Sequence, residues 1–147
     1  MEKGERIQLF TLINKMAAQT ILVVEDHSLV RDTLIRTLIS AGYQVLSAAS
    51  GEEALTLIST TGHSIDLLVC DVLLPGIPGT ELARQIGAHC PGIHCLFISG
   101  LPEHPRVVRE IVGYGLNLLP KPFLPHALIG RVRELLGDRP RVLTATV

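Results

Sequence analysis

The sequence predicts an α/β protein built on a doubly wound, five-stranded parallel sheet, and three observations predict it. Short apolar runs recur five times along the chain, segments with helical spacing fall between them, and the hydrophobic residues are overwhelmingly aliphatic. With 47% hydrophobic but only 3% aromatic residues and a mean hydropathy of +0.39, the core must be made of Leu, Ile, Val and Ala. That composition suits parallel strands buried on both faces. Strand and helix alternating in this way imply right-handed crossovers that place helices on both sides of the sheet.

The runs that read as strands are Thr20 to Val24, Gln44 to Ala48, Ile65 to Cys70, Ile93 to Ile98 and Leu116 to Leu119. After the first, Ser28 to Ser40 spaces Val30, Leu34, Ile35, Leu38 and Ile39 helically, leaves Arg31, Asp32 and Arg36 to solvent, and stops at Gly42. Ser50, Gly51, Glu52 and Glu53 read as a capping box, Ser50 accepting from a first-turn amide while Glu53 reaches back. They open a second helix through about Ser59, closed near Gly62 and His63. A third helix is expected from near Thr80 to before Pro91, a fourth near Pro105 and a fifth near Pro125, prolines falling where a first-turn amide needs no partner. The fifth turns Leu128, Val132, Leu135 and Leu136 inward. Its cap position holds Leu124, where Ser or Thr would satisfy an amide better.

A chain of 147 residues fits one domain with short tails. The formal net charge is -1 and no segment concentrates Lys or Arg, so nucleic acid is not expected as a direct partner. No apolar stretch approaches the ~20 residues that span a bilayer and no signal peptide opens the chain, so a cytoplasmic protein without a membrane partner is expected. Three cysteines make no disulfide framework, and Cys70 and Cys95 should pack as small hydrophobes. His89, Cys90, His94 and Cys95 invite a soft-ligand metal reading. Cys95 should point into the packing while His94 lies near the strand's beginning, so the four would not converge. None of the histidines sits in the long helical pattern of a phosphohistidine carrier, and His27 is expected at the rim of an acidic pocket.

Sheets of this kind bind ligands beyond the carboxyl ends of their strands. There the first strand ends in Glu25 and Asp26, the third in Asp71, the fourth in Ser99 and the fifth in Lys121. Three carboxylates meeting on one edge would repel one another at neutral pH. They demand a cation, and an all-oxygen site with few ligands suits Mg²⁺.

Four segments carry a resemblance: ILVVED at Ile21 to Asp26, LLVCDVLLPGIPG around Asp71, LFISG ending at Gly100, and LPKPF at Leu119 to Phe123. In this order, at these strand ends, the stretch from about Thr20 to Gly137 resembles the response regulator receiver domains of two-component signalling. The resemblance implies a flavodoxin-like (βα)5 sheet of order 2-1-3-4-5, with residues 1-19 as an N-terminal extension, 20-137 as the receiver and 138-147 as a tail. It implies Asp71 as the phosphorylated nucleophile, receiving its phosphoryl group from a histidine kinase or phosphotransfer protein. Asp26 would bind Mg²⁺ directly, Glu25 through water, and Leu73 through its backbone carbonyl. Ser99 and Lys121 would hold phosphoryl oxygens, Gly100 would keep the pocket open to the donor, and the Lys121–Pro122 peptide would be cis. Such chemistry needs mainly positioning and charge neutralisation around a carboxylate that forms an acyl phosphate. The domain would act only on its own phosphorylation and dephosphorylation, as a signalling module rather than an enzyme.

The chain departs from the pattern in places. Receivers commonly carry a ring three residues before the lysine, a switch position here occupied by Leu118, which leaves the switch to Ser99 and the loop after it; Tyr114 has no evident part in it. Leu73 and Leu101, two residues after Asp71 and Ser99, cannot orient water, so slow self-dephosphorylation is expected. An aspartate-nucleophile phosphohydrolase would need a second Asp where Leu73 stands. Met16 to Gln19 resembles a natural receiver start. The residues before it read as an extra helix, a misassigned start, or, over Ile7 to Ile13, a remnant of a kinase's last ATP-domain strand; the LFISG and LLPKPF wording favours hybrid-kinase lineage. After Gly137 no DNA-binding output domain is expected. Output should be binding to a downstream protein through the fourth helix, fifth strand and fifth helix, dependent on phosphorylation or, alternatively, independent of it, with a homodimer compatible with either.

Overall fold

Strands that are apolar at consecutive positions make sense only if both faces of the sheet are covered, and the two faces of this sheet are. A computed structural model describes residues 2–62, 64–100 and 117–137. Its elements are α1 (Lys3–Ala17), β1 (Thr20–Val24), α2 (Ser28–Ser40), β2 (Gln44–Ala48), α3 (Gly51–Thr61), β3 (Leu67–Asp71), α4 (Gly79–His89), β4 (His94–Ser99), β5 (Asn117–Pro120) and α5 (Pro125–Leu136). The strands form one parallel sheet in the order β2-β1-β3-β4-β5, the doubly wound order expected.

Successive side chains of a strand point to opposite faces, and the core divides accordingly. Ile21, Val23, Leu67, Val69, Leu96 and Ile98 join Leu34 and Leu38 of α2 and Leu128 and Val132 of α5. Leu22, Val24, Leu68 and Cys70 join Ala54 of α3 and Leu82 and Ile86 of α4. Burying each such aliphatic side chain contributes roughly 1.5–3 kcal/mol, so both helical layers are held by the same strands. Cys70 is a core group, as expected, and burial pushes the Cys95 thiol up to about 12.

Boundaries agree closely with the sequence expectations, with β3, β4 and β5 each ending one residue later. β3 runs through Asp71 and β4 through Ser99, so both residues are the last of their strands. The helix expected near Pro105, together with Leu101 and Tyr114, lies outside the described residues, as do His63 and the tail after Gly137. Lys3 to Ala17 is a helix, so Ile7 to Ile13 is not a strand; Ile7, Leu9 and Leu12 are exposed on it. At α3, Ser50 Oγ accepts from Glu53 N at 3.1 Å. Glu53 Oε2 accepts from Ala49 N at 3.0 Å, one residue earlier than the reciprocal bond of a standard capping box. Leu124 makes no side-chain cap bond, as its chemistry requires.

The return from β3 to α4 is tight. Gly79 N donates to the Val72 carbonyl at 3.0 Å, and a Cβ at Gly79 would run into the carbonyl oxygen of Asp71 and lie 3.1 Å from Cys70 Sγ. Neither neighbour is a flexible chain end, so a methyl group there forces backbone to move. Gly79→Ala is therefore expected to lower stability by about 2 kcal/mol, seen as a reduced urea midpoint at unchanged m-value.

Candidate functional site

The register of the sheet assembles the site. Asp71 lies beside Ile98 and Ser99 beside Pro120, so the ends of β3, β4 and β5 are level, and Lys121 follows β5 directly. Its backbone N donates to the Ser99 carbonyl at 2.7 Å, and the Lys121–Pro122 peptide is cis, as the resemblance implied. At the end of β1, Glu25 N donates to the Ala48 carbonyl at 3.2 Å, which continues the β1–β2 ladder by one residue.

The side chains converge. Lys121 Nζ donates to Asp71 Oδ2 at 2.6 Å and to Glu25 Oε2 at 3.2 Å. The Leu73 amide holds the other Asp71 oxygen, Oδ1, at 2.9 Å, and the His27 amide holds Glu25 Oε1 at 3.2 Å. Glu25 is only 1% exposed, whereas Asp26 is exposed at the mouth. One carboxylate oxygen from each of Glu25, Asp26 and Asp71 lies within 4.8 Å of the others, close enough to ligate one ion. Among the described residues this is the sole such group, and it does not include His89, Cys90, His94 or Cys95. His89 Nδ1 instead meets the Gln85 carbonyl at 3.0 Å.

Burial dominates the electrostatics of Glu25. It pushes the carboxyl up to about 7, with the Asp71 charge acting in the same direction and the Lys121 ammonium and His27 amide only partly offsetting both. For Lys121, burial alone would depress the ammonium; its bonds to Asp71 and Glu25 outweigh that and raise it. The single ammonium thus remains charged between acids whose charges it cannot fully balance.

Ser99 is buried at the end of β4. Gly100 lines a groove of about 490 Å³ with Leu29, Val30, Lys121 and Phe123, beside the site. Leu118 pairs with Phe97 across β4 and β5 and packs, half-buried, on the small cluster of Val72 and Phe97. Leu73 is 47% exposed and His27 stands exposed at the rim. Three contributors were not foreseen from sequence: the Leu73 and His27 amides, and Arg31, whose Nη1 donates to the Glu25 carbonyl at 2.9 Å. Backbone donors carry no residue signature, and Arg31 reads as a solvated helix position until the chain bends.

The model of the response regulator receiver domain family matches residues 21–133. The chain is 38% identical over 117 residues to the sensor kinase CckA of Brucella abortus, covering 80% of this chain and 12% of that protein. It is 35% identical over 116 residues to the response regulator MprA of Mycolicibacterium vanbaalenii, covering 79% and 49%. It thus spans only part of the curated relatives it matches. Among solved structures it is similar to the receiver domain of the hybrid histidine kinase CckA, with a TM-score of 0.67 and 38% identity over 80% of this chain and 98% of that one.

Since folding lifts the Glu25 carboxyl from 4.5 to about 7, the native protein keeps between those values a proton that the unfolded chain releases. Stability therefore falls as pH rises through this window and levels off above it. In EDTA, the melting temperature is expected to be lower at about pH 8 than at about pH 5, and Glu25→Gln should remove most of that difference.

Proposed function

Because the chain belongs to the response regulator receiver domain family of two-component signalling, we propose that Asp71 accepts a phosphoryl group from the phosphohistidine of a kinase or phosphotransfer protein, with Mg²⁺ required. The observation that carries this reading is the single pocket in which Lys121 Nζ sits 2.6 Å from Asp71 beside two further carboxylates within ligating reach. The donor set fits a small, hard divalent cation: all oxygen, three acids against one ammonium. Glu25, Asp26, Asp71 and the Leu73 carbonyl would hold it. When bound, the ion would neutralise charge on the carboxylates and on the incoming phosphoryl group.

The chain's own groups do the rest. The Leu73 amide and Lys121 fix the Asp71 carboxylate from its two oxygens, so its orientation is set before the donor arrives. An Asp71 oxygen bonds to phosphorus as the donor's N–P bond breaks, and the electron pair returns to the imidazole, which ends neutral after taking a proton. Lys121 then turns from the carboxylate oxygen to the phosphoryl oxygens, where the Ser99 hydroxyl is the other donor at hand. Gly100, which lines a groove together with Lys121, would keep the pocket open to the donor.

The output would be binding to a downstream protein once Asp71 carries the phosphoryl group. Relatives named as a sensor kinase and a response regulator support a kinase as donor. A cytoplasmic location and no nucleic-acid or membrane partner complete the proposal; no helix among the described residues is long and apolar enough to cross a membrane. One observation favours a second reading, binding indifferent to phosphorylation. Leu118 is packed against Phe97 and Val72, with no ring to turn toward a modified Asp71.

Acetyl phosphate with Mg²⁺ should add one phosphoryl group, resolved by intact mass or Phos-tag electrophoresis. Asp71→Asn should abolish it and Lys121→Ala should slow it by about 100-fold; unchanged labelling of the Asp71 variant would refute the reading. The side chain two residues after Asp71 is an exposed leucine that cannot orient water. The acyl phosphate should consequently outlast the removal of donor by minutes or more, and a lifetime of seconds would contradict this. Partner capture that survives Asp71→Asn would favour the second reading.

A further inference from the structure

The segment from Val72 to Pro78 carries the Leu73 amide that orients Asp71, and it is tethered at three places. Leu74 is buried among the α3 and α4 side chains. Gly79 N binds the Val72 carbonyl at 3.0 Å. The outer limb is held from another element: Glu52 Oε1, on the first turn of α3, accepts from Ile77 N at 3.1 Å, across 25 residues of sequence.

The local geometry is built around that bond. Gly76 has φ +76, a left-handed conformation that favours glycine, and an added Cβ would lie 2.5 Å from Glu52 Oε1. Gly51, the first residue of α3, is buried so closely under Ile77 that its own Cβ would sit 3.0 Å from that of Ile77. Two glycines, one on each side of the contact, thus let the Glu52 carboxylate and the loop backbone meet. Glu53, one residue on, faces away to Ala49 and serves the helix end alone.

We propose that Glu52 is a positioning residue for the phosphorylation site. By holding the Ile77 amide it fixes the loop after β3, and with it the Leu73 peptide, whose amide orients Asp71 and whose carbonyl would help to hold the cation. The inference rests on the function proposed above. Glu52 touches neither the reacting atoms nor the ion; it acts through the loop, as outer-shell hydrogen bonds orient ligands. An oxygen acceptor suffices for this task, so the amide of Gln can perform it, whereas favouring the positive end of α3 requires the charge.

That difference supplies the test, made on the full chain. In metal-free protein, Glu52→Ala should speed hydrogen exchange at the Leu73 amide by about fivefold, the worth of one hydrogen bond. It should raise the Mg²⁺ concentration giving half-maximal phosphorylation by acetyl phosphate by a similar factor, with a smaller change at saturating Mg²⁺. Glu52→Gln should restore both, although it loses the charge at the helix end. Glu53→Ala should lower the melting temperature through its lost cap and leave both readouts unchanged. Glu52→Ala without effect on Leu73 exchange, or Glu53→Ala reproducing its effects, would overturn the proposal. If the parent chain took no phosphoryl group, the proposed function would fail while the exchange comparison still decided whether Glu52 holds the loop.

Discussion

Everything at the carboxyl edge of this sheet depends on one imbalance of charge: three carboxylates, one of them fully buried, gathered around a single ammonium. Lys121 bridges Asp71 and Glu25, which removes the worst of the repulsion and directs Asp71 Oδ2, while the Leu73 amide directs Oδ1. It cannot neutralise three acids. Burial of Glu25 meets part of the shortfall, because a carboxyl that has lost its water holds its proton until near neutrality. The three carboxylate oxygens lie close enough together to ligate one ion, and such an ion would relieve their repulsion.

That imbalance is tolerable because the scaffold beneath it is apolar on both faces. β1 and β3, at the centre of the order, send alternate residues to the two helical layers. Their ends are consequently anchored from both sides, and Glu25 and Asp71 project from backbone that cannot shift to relieve repulsion. The same packing demands glycine at position 79, where α4 begins against the Asp71 carbonyl. Stability and site geometry are coupled through that contact: what lets the helix close on the strand also fixes the peptide of Asp71.

The chemistry and its outward relay are unevenly provided for. Around Asp71, the last residue of β3, Ser99 ends β4 and Lys121 directly follows β5. Leading away from it, Leu118 contributes only aliphatic packing on Phe97 and Val72. The connection more fully developed in the described residues runs the other way around the site, from Asp71 through the Leu73 amide to the loop that α3 grips at Ile77. These bonds link Asp71 to α3 through backbone amides and do not involve the ring position.

By itself the sequence determined, for the described residues from Thr20 on, the order of strands and helices, the doubly wound class and the placement of Glu25, Asp26, Asp71, Ser99 and Lys121 at the strand ends, because these follow from apolar periodicity and from which residue ends each run. Cap chemistry was legible at Ser50 and, as a defect, at Leu124. What only the tertiary structure decided was which oxygen meets which donor. The Leu73 and His27 amides belong to backbone and have no residue signature. The turn of Arg31 onto the Glu25 carbonyl and the reach of Glu52 to Ile77 depend on where separate elements come to rest. That residues 3 to 17 form a helix was left open by the sequence, where several readings fitted the residues equally. Local periodicity is written in the chain, but hydrogen bonds between distant elements exist only after the sheet has set their spacing, and it is these that aim Asp71.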